Sequence, residues 1–312
     1  RKLGLGYKNF RIGRNKPHMQ IKDYASLAEF RRLPRGGFGK GPFAILIAED
    51  RVELASTLSH LMQLGFRHVF IAAPTGLDIT PETEGHAPNT VSIIRAQTRR
   101  ADAAASLVNA LIPLVPNEWV HYCYNAEYFF YPFCEDRTVG EMAAFIAEER
   151  RDCALTYVID LYAQDLNIAP NAVNLDHAML DSAGYFADAR RDETGRAKDR
   201  QHDFFGGLRW RFEEHVPKER RRIDRIGFFR AKEGLQMFED HRLSDEEMNT
   251  FACQWHHSIT ATICSFRVAK ALRSNAGSRY DIGDFRWHRS KRFQWSSQQL
   301  MDLGLMEPGQ WF

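Results

Sequence analysis

Apolar residues in the first third of the chain alternate between short continuous runs and helical spacing. Residues 43–48 and 68–73 are runs of the kind found in strands that are covered on both faces. Between them, leucines recur at helical spacing up to Gly65, a residue suited to ending a helix. This succession predicts a strand, a helix and a second strand joined in one right-handed parallel crossover.

The same alternation continues along the chain. Residues 91–94 predict a third strand, the Ala- and Leu-rich residues 101–114 a second helix, and the β-branched and aromatic residues 119–124 a fourth strand. We therefore expect an α/β fold with a mostly parallel sheet flanked by helices. In such sheets, ligands collect beyond the carboxyl ends of the strands.

The pattern is less regular in the second half. Thr138 and Glu141 form a capping box that predicts the start of a helix. Residues 155–161 are typical of a strand, and residues 259–272 are interpreted as a late helix. Residues 184–225 are dense in Arg, Asp, Glu and Gly, so we expect them to be largely loop.

Three regions follow from these patterns. Residues 1–40 form a basic arm, residues 41–274 the α/β domain, and residues 275–312 a Trp- and Arg-rich tail that packs on the domain. The part of the chain after the fourth strand is expected to be rich in loops.

Composition narrows the class of protein. With 44% apolar and 26% charged residues, the chain has the composition of a globular protein. Its net charge of +2 is too small to favour binding to a polyanion by overall charge alone. Its five cysteines include no CxxC pair, which argues against a zinc ribbon and a disulfide scaffold. No apolar run approaches the roughly 20 residues of a membrane-spanning helix, and we expect a cytoplasmic location.

The basic arm is the one strongly charged segment. Residues 1–40 contain eleven Lys or Arg against two acids, Asp23 and Glu29. A charge run of this kind is either a solvated extension or an electrostatic contact for anionic lipid or a phosphorylated ligand. The second alternative predicts peripheral attachment at the inner face of a membrane.

Two oxygen-bearing side chains follow the fourth predicted strand. If the segment is extended, Asn125 and Glu127 lie on the same face because they are two residues apart. Oxygen ligands suit a hard cation such as Mg²⁺ or Mn²⁺ that bridges a diphosphate. This pair is therefore a candidate metal and diphosphate site.

At this point the sequence resembles a known family. The features shared with it are the acidic turn Glu49-Asp50, the helix end Leu64-Gly65, Trp119 and the run Asn125-Ala-Glu-Tyr-Phe129. Together they resemble the GT-A-fold glycosyltransferases of the family-two-like group. The resemblance implies a GT-A-like fold, a nucleotide-sugar donor, and an acceptor that is a glycan or a lipid-linked molecule.

The resemblance also suggests roles for individual residues. Glu49 and Asp50 stand where the family contacts the nucleotide, and Ala73 stands where the family has an aspartate that makes a further contact. Asn125 and Glu127 match the two acids of the family's metal-binding D-x-D motif, so they are also expected to bind the donor.

Three later segments of the chain also resemble parts of this family. Residues 205–212 resemble the family's glycine-containing acceptor loop, and residues 225–230 resemble a segment that follows it. His256 and His257 resemble a C-terminal histidine that faces the metal and the diphosphate. Adjacent side chains point in different directions, and we favour His257.

The resemblance thus implies a metal site of Asn125, Glu127 and His257 that holds Mn²⁺ or Mg²⁺. Because Asn125 is neutral where the family has an acid, transfer without a metal ion is also open.

An inverting transfer requires a carboxylate that removes the proton from the acceptor hydroxyl. The candidates are Asp160, at the end of a predicted strand, and Glu214, just after the glycine-containing loop. Arg220, Arg221 and Arg222, together with Arg225, either clamp a phosphate or are solvated.

The sequence therefore favours glycosyl transfer from a nucleotide sugar. One alternative is a relative that binds a nucleotide or glycan without turnover, since Ala73 and Asn125 replace two acids. A less favoured alternative is nucleic-acid binding by the basic arm and tail, where Phe293, Trp287 and Trp295 lie among arginines. Aromatic residues in a tail are more often packing anchors.

Overall fold

A computed structural model describes residues 21–86, 90–253, 255 and 257–311. The strands in these ranges are β1 (Lys22–Tyr24), β2 (Phe43–Ile47), β3 (His68–Ala73), β4 (Val91–Arg95), β5 (Trp119–Tyr124), β6 (Glu127–Phe130), β7 (Cys153–Ala163), β8 (Ala178–Asp181), β9 (Phe186–Arg191), β10 (Ala197–Phe205), β11 (Asp224–Arg230), β12 (Ala261–Ser265) and β13 (Ser290–Arg292). The α-helices are α1 (Leu27–Phe30), α2 (Leu54–Gln63), α3 (Thr80–Thr83), α4 (Ala103–Leu111), α5 (Val139–Glu148), α6 (Leu208–Arg211), α7 (Arg267–Ser274) and α8 (Ser297–Asp302).

One sheet organises the molecule, with the strand order β1-β4-β3-β2-β5-β11-β7-β12-β6. The first five strands in this order are all parallel. β11 and β6 run against the other seven strands, and β8 and β13 extend the sheet from β7. The predicted fold class, a mostly parallel α/β sheet flanked by helices, is confirmed.

The continuous apolar runs are explained by burial on both faces of the sheet. In β2, Phe43, Ile45 and Ile47 pack with residues of α4 on one face. Ala44 and Leu46 pack with α2 and α5 on the other face. A strand with two covered faces has no polar side, so its sequence does not alternate.

The predicted helix boundaries of the first half are also confirmed. Gly65 follows α2 with a φ of 93°, a left-handed conformation that glycine adopts without strain. Thr138 caps α5, and the reciprocal bonds between Thr138 and Glu141 form the predicted capping box.

The interpretation of residues 259–272 as one helix is wrong. Residues Ala261–Ser265 form β12, which is fully buried between β7 and β6, and the helix α7 begins only at Arg267. A short apolar run is compatible with either a buried strand or a buried helix, and periodicity does not separate them.

The expectation that residues 184–225 are largely loop is also wrong in part. β9 and β10 form a separate antiparallel hairpin in which Phe186 lies opposite Phe205. Most of β9 is exposed, so this strand lacks the alternation of apolar and polar residues that marks a half-buried strand.

The two ends of the described chain pack on the sheet. β1 pairs with the edge strand β4, and Phe30 of α1 is buried; residues 1–20 of the predicted arm lie outside the described residues. Near the other end, β13 pairs with β8, and Trp311 stacks on Phe145. Within the described ranges, no helix combines the length and apolarity needed to cross a membrane.

Candidate functional site

A cleft of about 860 Å³ opens at the carboxyl edge of the parallel strands. Glu49 and Asp50 line it directly after β2, Tyr124 lines it at the end of β5, and Arg267 lines it at the start of α7. The opposite side is formed by residues from the part of the chain that begins at α6 and ends in the segment after β11. The cleft therefore lies at the edge where sheets of this class bind ligands.

Charged side chains of both signs line the cleft. The cations are Arg99, Arg100, Arg209, Arg220, Arg222, Arg267 and Lys270. The acids are Glu49, Asp50, Glu219, Asp224, Glu239 and Asp240. Since most of these groups are paired, the pairing decides which charges are available to a ligand.

Asn125 is held in place by three hydrogen bonds. Its Oδ1 accepts from the backbone N–H of Glu49 at 2.9 Å. Its Nδ2 donates to Asp50 Oδ1 at 2.7 Å and to the carbonyl of Val52 at 2.9 Å. The amide thus ties the turn after β2 to the end of β5.

The prediction that Asn125 and Glu127 share one face is wrong. Ala126 lies between them with a φ of 63°, so the backbone turns between β5 and β6. The two side chains consequently have different partners, and period-two alternation does not apply across this turn.

Glu127 is 1% exposed and has a partner at each oxygen. Oε2 accepts from the N–H of Tyr124 at 2.9 Å and from Arg225 Nη2 at 2.6 Å, and Oε1 accepts from Ser265 Oγ at 3.0 Å. Burial alone would raise the pKa of Glu127, but Arg225 and Arg267 outweigh it and lower the pKa to about 2. Asn125, Glu127 and Arg225 do not line the cleft themselves, but Asn125 and Glu127 bond to its lining residues Glu49, Asp50 and Tyr124. We call these three residues behind the lining the floor.

The metal site implied by the resemblance does not fit the donors present. His257 is exposed and precedes the amino end of β12, whereas Ser265, which binds Glu127, lies at the carboxyl end of that strand. The two ends of β12 are about 13 Å apart. The oxygens of Asn125 and Glu127 are already bonded within the protein. Among the described residues, which do not include His256, no group of three or more His, Cys, Asp or Glu is arranged to hold a metal ion.

Glu49 and Asp50 border the cleft, and both carboxylates are paired. Arg267 binds Glu49 through two hydrogen bonds of 2.9 and 2.8 Å, and its guanidinium lies 3.7 Å from the ring centroid of Tyr124. Lys270 Nζ lies 2.7 Å from Asp50 Oδ2. Burial opposes ionisation of Asp50, but Lys270 outweighs it and holds the pKa below its ordinary value.

Two cations of the cleft have no carboxylate partner among the residues that the structure describes. Arg99 donates from Nε and Nη2 to the carbonyl of Glu49, and Arg220 is exposed in a short 3₁₀ helix. Across the described part of the chain, neither residue enters an ion pair. We call Arg99 and Arg220 the wall cations. Guanidinium groups are well suited to phosphate oxygens because they present several donors in one plane.

A neutral histidine completes the lining near the floor. The ring of His241 is nearly parallel to that of Tyr122, with 12° between the planes, and Nδ1 lies 3.0 Å from the Tyr122 hydroxyl. Burial and the charges of Arg225 and Arg267 lower the pKa of His241 to about 3. The imidazole is therefore uncharged at neutral pH.

The two predicted catalytic carboxylates lie in different surroundings. Asp160 is buried on β7, where its Oδ1 accepts from Arg209 Nε at 3.3 Å, and burial raises its pKa. A Cβ on Gly207 would lie 3.0 Å from Asp160 Oδ2, so only a glycine leaves room there. Glu214 has a side chain that is 62% exposed and does not line the cleft.

The structure separates the predicted arginine cluster into different roles. Arg220 and Arg222 line the cleft, Arg221 binds Glu213, and Arg225 belongs to the floor.

The sequence analysis missed other residues of the cleft, namely Arg99, Arg267, Lys270 and Tyr124. Arg267 lies two residues after β12, and Arg99 lies four residues after β4. The rule that ligands bind beyond the carboxyl ends of strands marks Arg99 from the predicted strand at residues 91–94. It does not mark Arg267, because β12 was predicted to be part of a helix.

Solved structures that are similar to part of the chain are known. No family model matches the chain, and no curated protein matches it. The crystal structure of 4-diphosphocytidyl-2C-methyl-D-erythritol synthase is similar with a TM-score of 0.31 and 11% identity, over 62% of this chain and 75% of that one. HddC from Yersinia pseudotuberculosis is similar with a TM-score of 0.31 and 9% identity, over 61% of this chain and 76% of that one. At this level of similarity, neither comparison indicates an activity for this chain.

Proposed function

We propose that the cleft binds a nucleotide sugar and that the chain transfers the sugar to an acceptor. The observation that carries this proposal is the position of Arg99 and Arg220, which have no ion-pair partner in the described ranges, in a cleft at the carboxyl edge of a parallel sheet. This edge is the usual nucleotide site of the fold class. The sequence resemblance to GT-A-fold glycosyltransferases supports the same reading.

In this proposal the wall cations bind the diphosphate. Two guanidinium groups from different elements would neutralise the negative charge that develops on the leaving phosphate during transfer. Because the oxygens of Asn125 and Glu127 already accept hydrogen bonds within the protein, we assign no step to a metal ion held by them. The floor instead keeps Glu49 and Asp50 in place at the rim.

Binding without turnover is a second candidate, and one observation favours it. Asp160 is buried behind Arg209, and Glu214 lies outside the cleft lining, so neither proposed base opens into the cleft. A protein with this arrangement could hold a nucleotide sugar and leave it intact.

The binding proposal is tested with two variants of one 3₁₀ helix. Lys218 and Arg220 are both exposed, but only Arg220 lines the cleft. We expect UDP, GDP or CDP to raise the melting temperature of the parent and of Lys218→Ala. In Arg220→Ala, the affinity for that nucleotide should fall about tenfold, equivalent to about 1.4 kcal/mol.

The proposal is contradicted if no nucleoside diphosphate stabilises the parent protein, or if both variants bind equally well. Release of sugar from the matching nucleotide sugar, followed over time, then separates transfer from binding. Measurable release supports a transferase, whereas tight binding without release supports the second candidate.

A further inference from the structure

A group of aromatic rings is exposed beside the cleft. Phe186 of β9 and Trp210 of α6 are 45% and 43% exposed, and their ring centroids are 6.2 Å apart. Phe186 also stacks on Phe205 of β10, with the centroids 5.3 Å apart. With Trp287, these residues form what we call the aromatic platform.

The tryptophan rings of the platform are held in position by their surroundings. Gly184, whose φ of 89° favours glycine, lies against both rings: a Cβ there would be at van der Waals contact, 3.4 Å, from Trp210 and from Trp287. Asp181, a buried carboxylate, accepts a hydrogen bond from Trp287 Nε1 at 2.8 Å. The buried acid therefore fixes the orientation of the Trp287 ring.

Residues of the platform are direct neighbours of residues that line the cleft. Trp210 directly follows Arg209, which lines the cleft. The backbone of Phe205 forms a β-bridge with Arg222, which also lines the cleft. A ligand in the cleft and a ligand on the platform would therefore be neighbours.

We propose that the aromatic platform binds a pyranose ring of a glycan, and that this glycan is the acceptor. The assignment as acceptor rests on the proposed function. A pyranose has an apolar C–H face, which can pack on an aromatic ring, and a polar edge of hydroxyl groups. Asp188 is exposed two residues after Phe186 on the same face of β9, where its carboxylate can accept hydrogen bonds from hydroxyl groups.

The charged surroundings favour a glycan over a lipid surface. The exposed residues that follow Phe186 on β9 include Asp188 and Arg191, so the rings do not belong to a broad apolar face. A small group of rings bordered by charged residues is typical of a site for a small amphipathic ligand.

The experiment uses saturation-transfer NMR with four probes, the methyl glycosides of glucose, galactose, mannose and N-acetylglucosamine. Trp210→Ala and Phe186→Ala remove rings from two different elements. Trp255→Ala is the control, because Trp255 is 87% exposed and lines a separate cavity with Cys153, at the other end of β7 from Asp160. Melting curves establish that each variant is folded.

We expect at least one glycoside to bind the parent and Trp255→Ala, with the signal reduced about tenfold in both platform variants. The proposal is overturned if no glycoside binds the parent, or if the platform variants bind as the parent does. If no glycoside binds the parent and the platform variants lose binding to vesicles of phosphatidylglycerol, the proposal is overturned in favour of a lipid-binding surface.

The nucleoside diphosphate measurement keeps the two proposals apart. The platform variants should retain the stabilisation by the nucleotide, since the wall cations are intact. If no nucleotide binds the parent while glycosides depend on Trp210, the nucleotide-sugar proposal fails and the glycan site is supported.

Discussion

The floor and the wall of the cleft contain the same kinds of charged groups but differ in how these groups are paired. In the floor, both oxygens of Glu127 are bonded, and Arg225 is 5% exposed at the side chain. In the wall, Arg220 is exposed and has no carboxylate partner among the described residues. A charged residue at the edge of a sheet thus marks a ligand site only when its own partners leave it free.

The difference has an energetic cause. A charge removed from water must be paired and hydrogen-bonded, because burying it alone costs several kcal/mol. The floor meets this condition internally, so its changes should reduce stability. The wall cations are solvated, so substituting them should reduce the affinity for the nucleoside diphosphate and leave the free energy of unfolding almost unaltered. The comparison of Arg220→Ala with Lys218→Ala measures this loss of affinity.

The largest effect is expected for Arg225→Met. This change leaves Glu127 as a buried carboxylate without its partner at 2.6 Å. We expect the free energy of unfolding to fall by about 3–5 kcal/mol, measured by urea unfolding at pH 7.

Arg230→Met is the matched control, because Arg230 lies on the same strand with a side chain that is 40% exposed. Its effect should stay within about 1 kcal/mol. Equal losses in the two variants would show that the floor is not specially dependent on its ion pair.

Asn125→Asp is expected to have the next largest effect. The new carboxylate cannot donate to Asp50 Oδ1, now 2.7 Å from Nδ2, or to the carbonyl of Val52. It also places two acids side by side, so we expect a loss of about 2–3 kcal/mol in the free energy of unfolding. Asn125→Asp should show this loss with and without Mn²⁺ in urea unfolding.

A full recovery of stability by Mn²⁺ in Asn125→Asp, with no such effect on the parent, would contradict the purely structural role of this position. It would favour the metal site that the sequence resemblance implies.

The smallest effect concerns pH. The pKa of His241 is about 3 in the folded chain and 6.5 is its ordinary value, so the unfolded chain binds the proton more tightly. Uncharged His241 makes its full contribution to the free energy of unfolding above pH 6.5, and this contribution is lost as the pH falls towards 3. His241→Asn, which suits the φ of 64°, should reduce the difference in stability between pH 8 and pH 5 by up to about 2 kcal/mol.

Urea unfolding at the two pH values provides the measurement. Buried His121, whose pKa is also lowered to about 3, remains in both proteins, so the parent and the variant are compared directly. An unchanged pH dependence in His241→Asn would show that this imidazole titrates normally and lies outside the field of Arg225.

The first half of the sheet could be predicted from the sequence because its signals are local. The run of β2 is apolar since both faces are covered, and Thr138 and Gly65 mark helix ends by their own hydrogen bonds and dihedral angles. The edge that carries the cleft followed from the same reasoning.

The details of the site depended on distant contacts and could not be predicted. Nothing in the Asn125-Ala126-Glu127 triplet reveals the left-handed turn at Ala126, and the partner of Glu127 comes from β11, 98 positions later. β12 was mistaken for a helix because its burial is decided by β7 and β6. The hairpin of β9 and β10 was missed because most of β9 faces solvent.

The position of β11 also has a consequence for assembly. It lies between β5 and β7, so among the described strands the backbone ladder joins the two blocks of parallel strands only through β11. Until β11 arrives during synthesis, β5 and β7 each present an unpaired edge to the surroundings. A nascent or truncated chain that lacks β11 is therefore exposed to aggregation by edge-to-edge pairing.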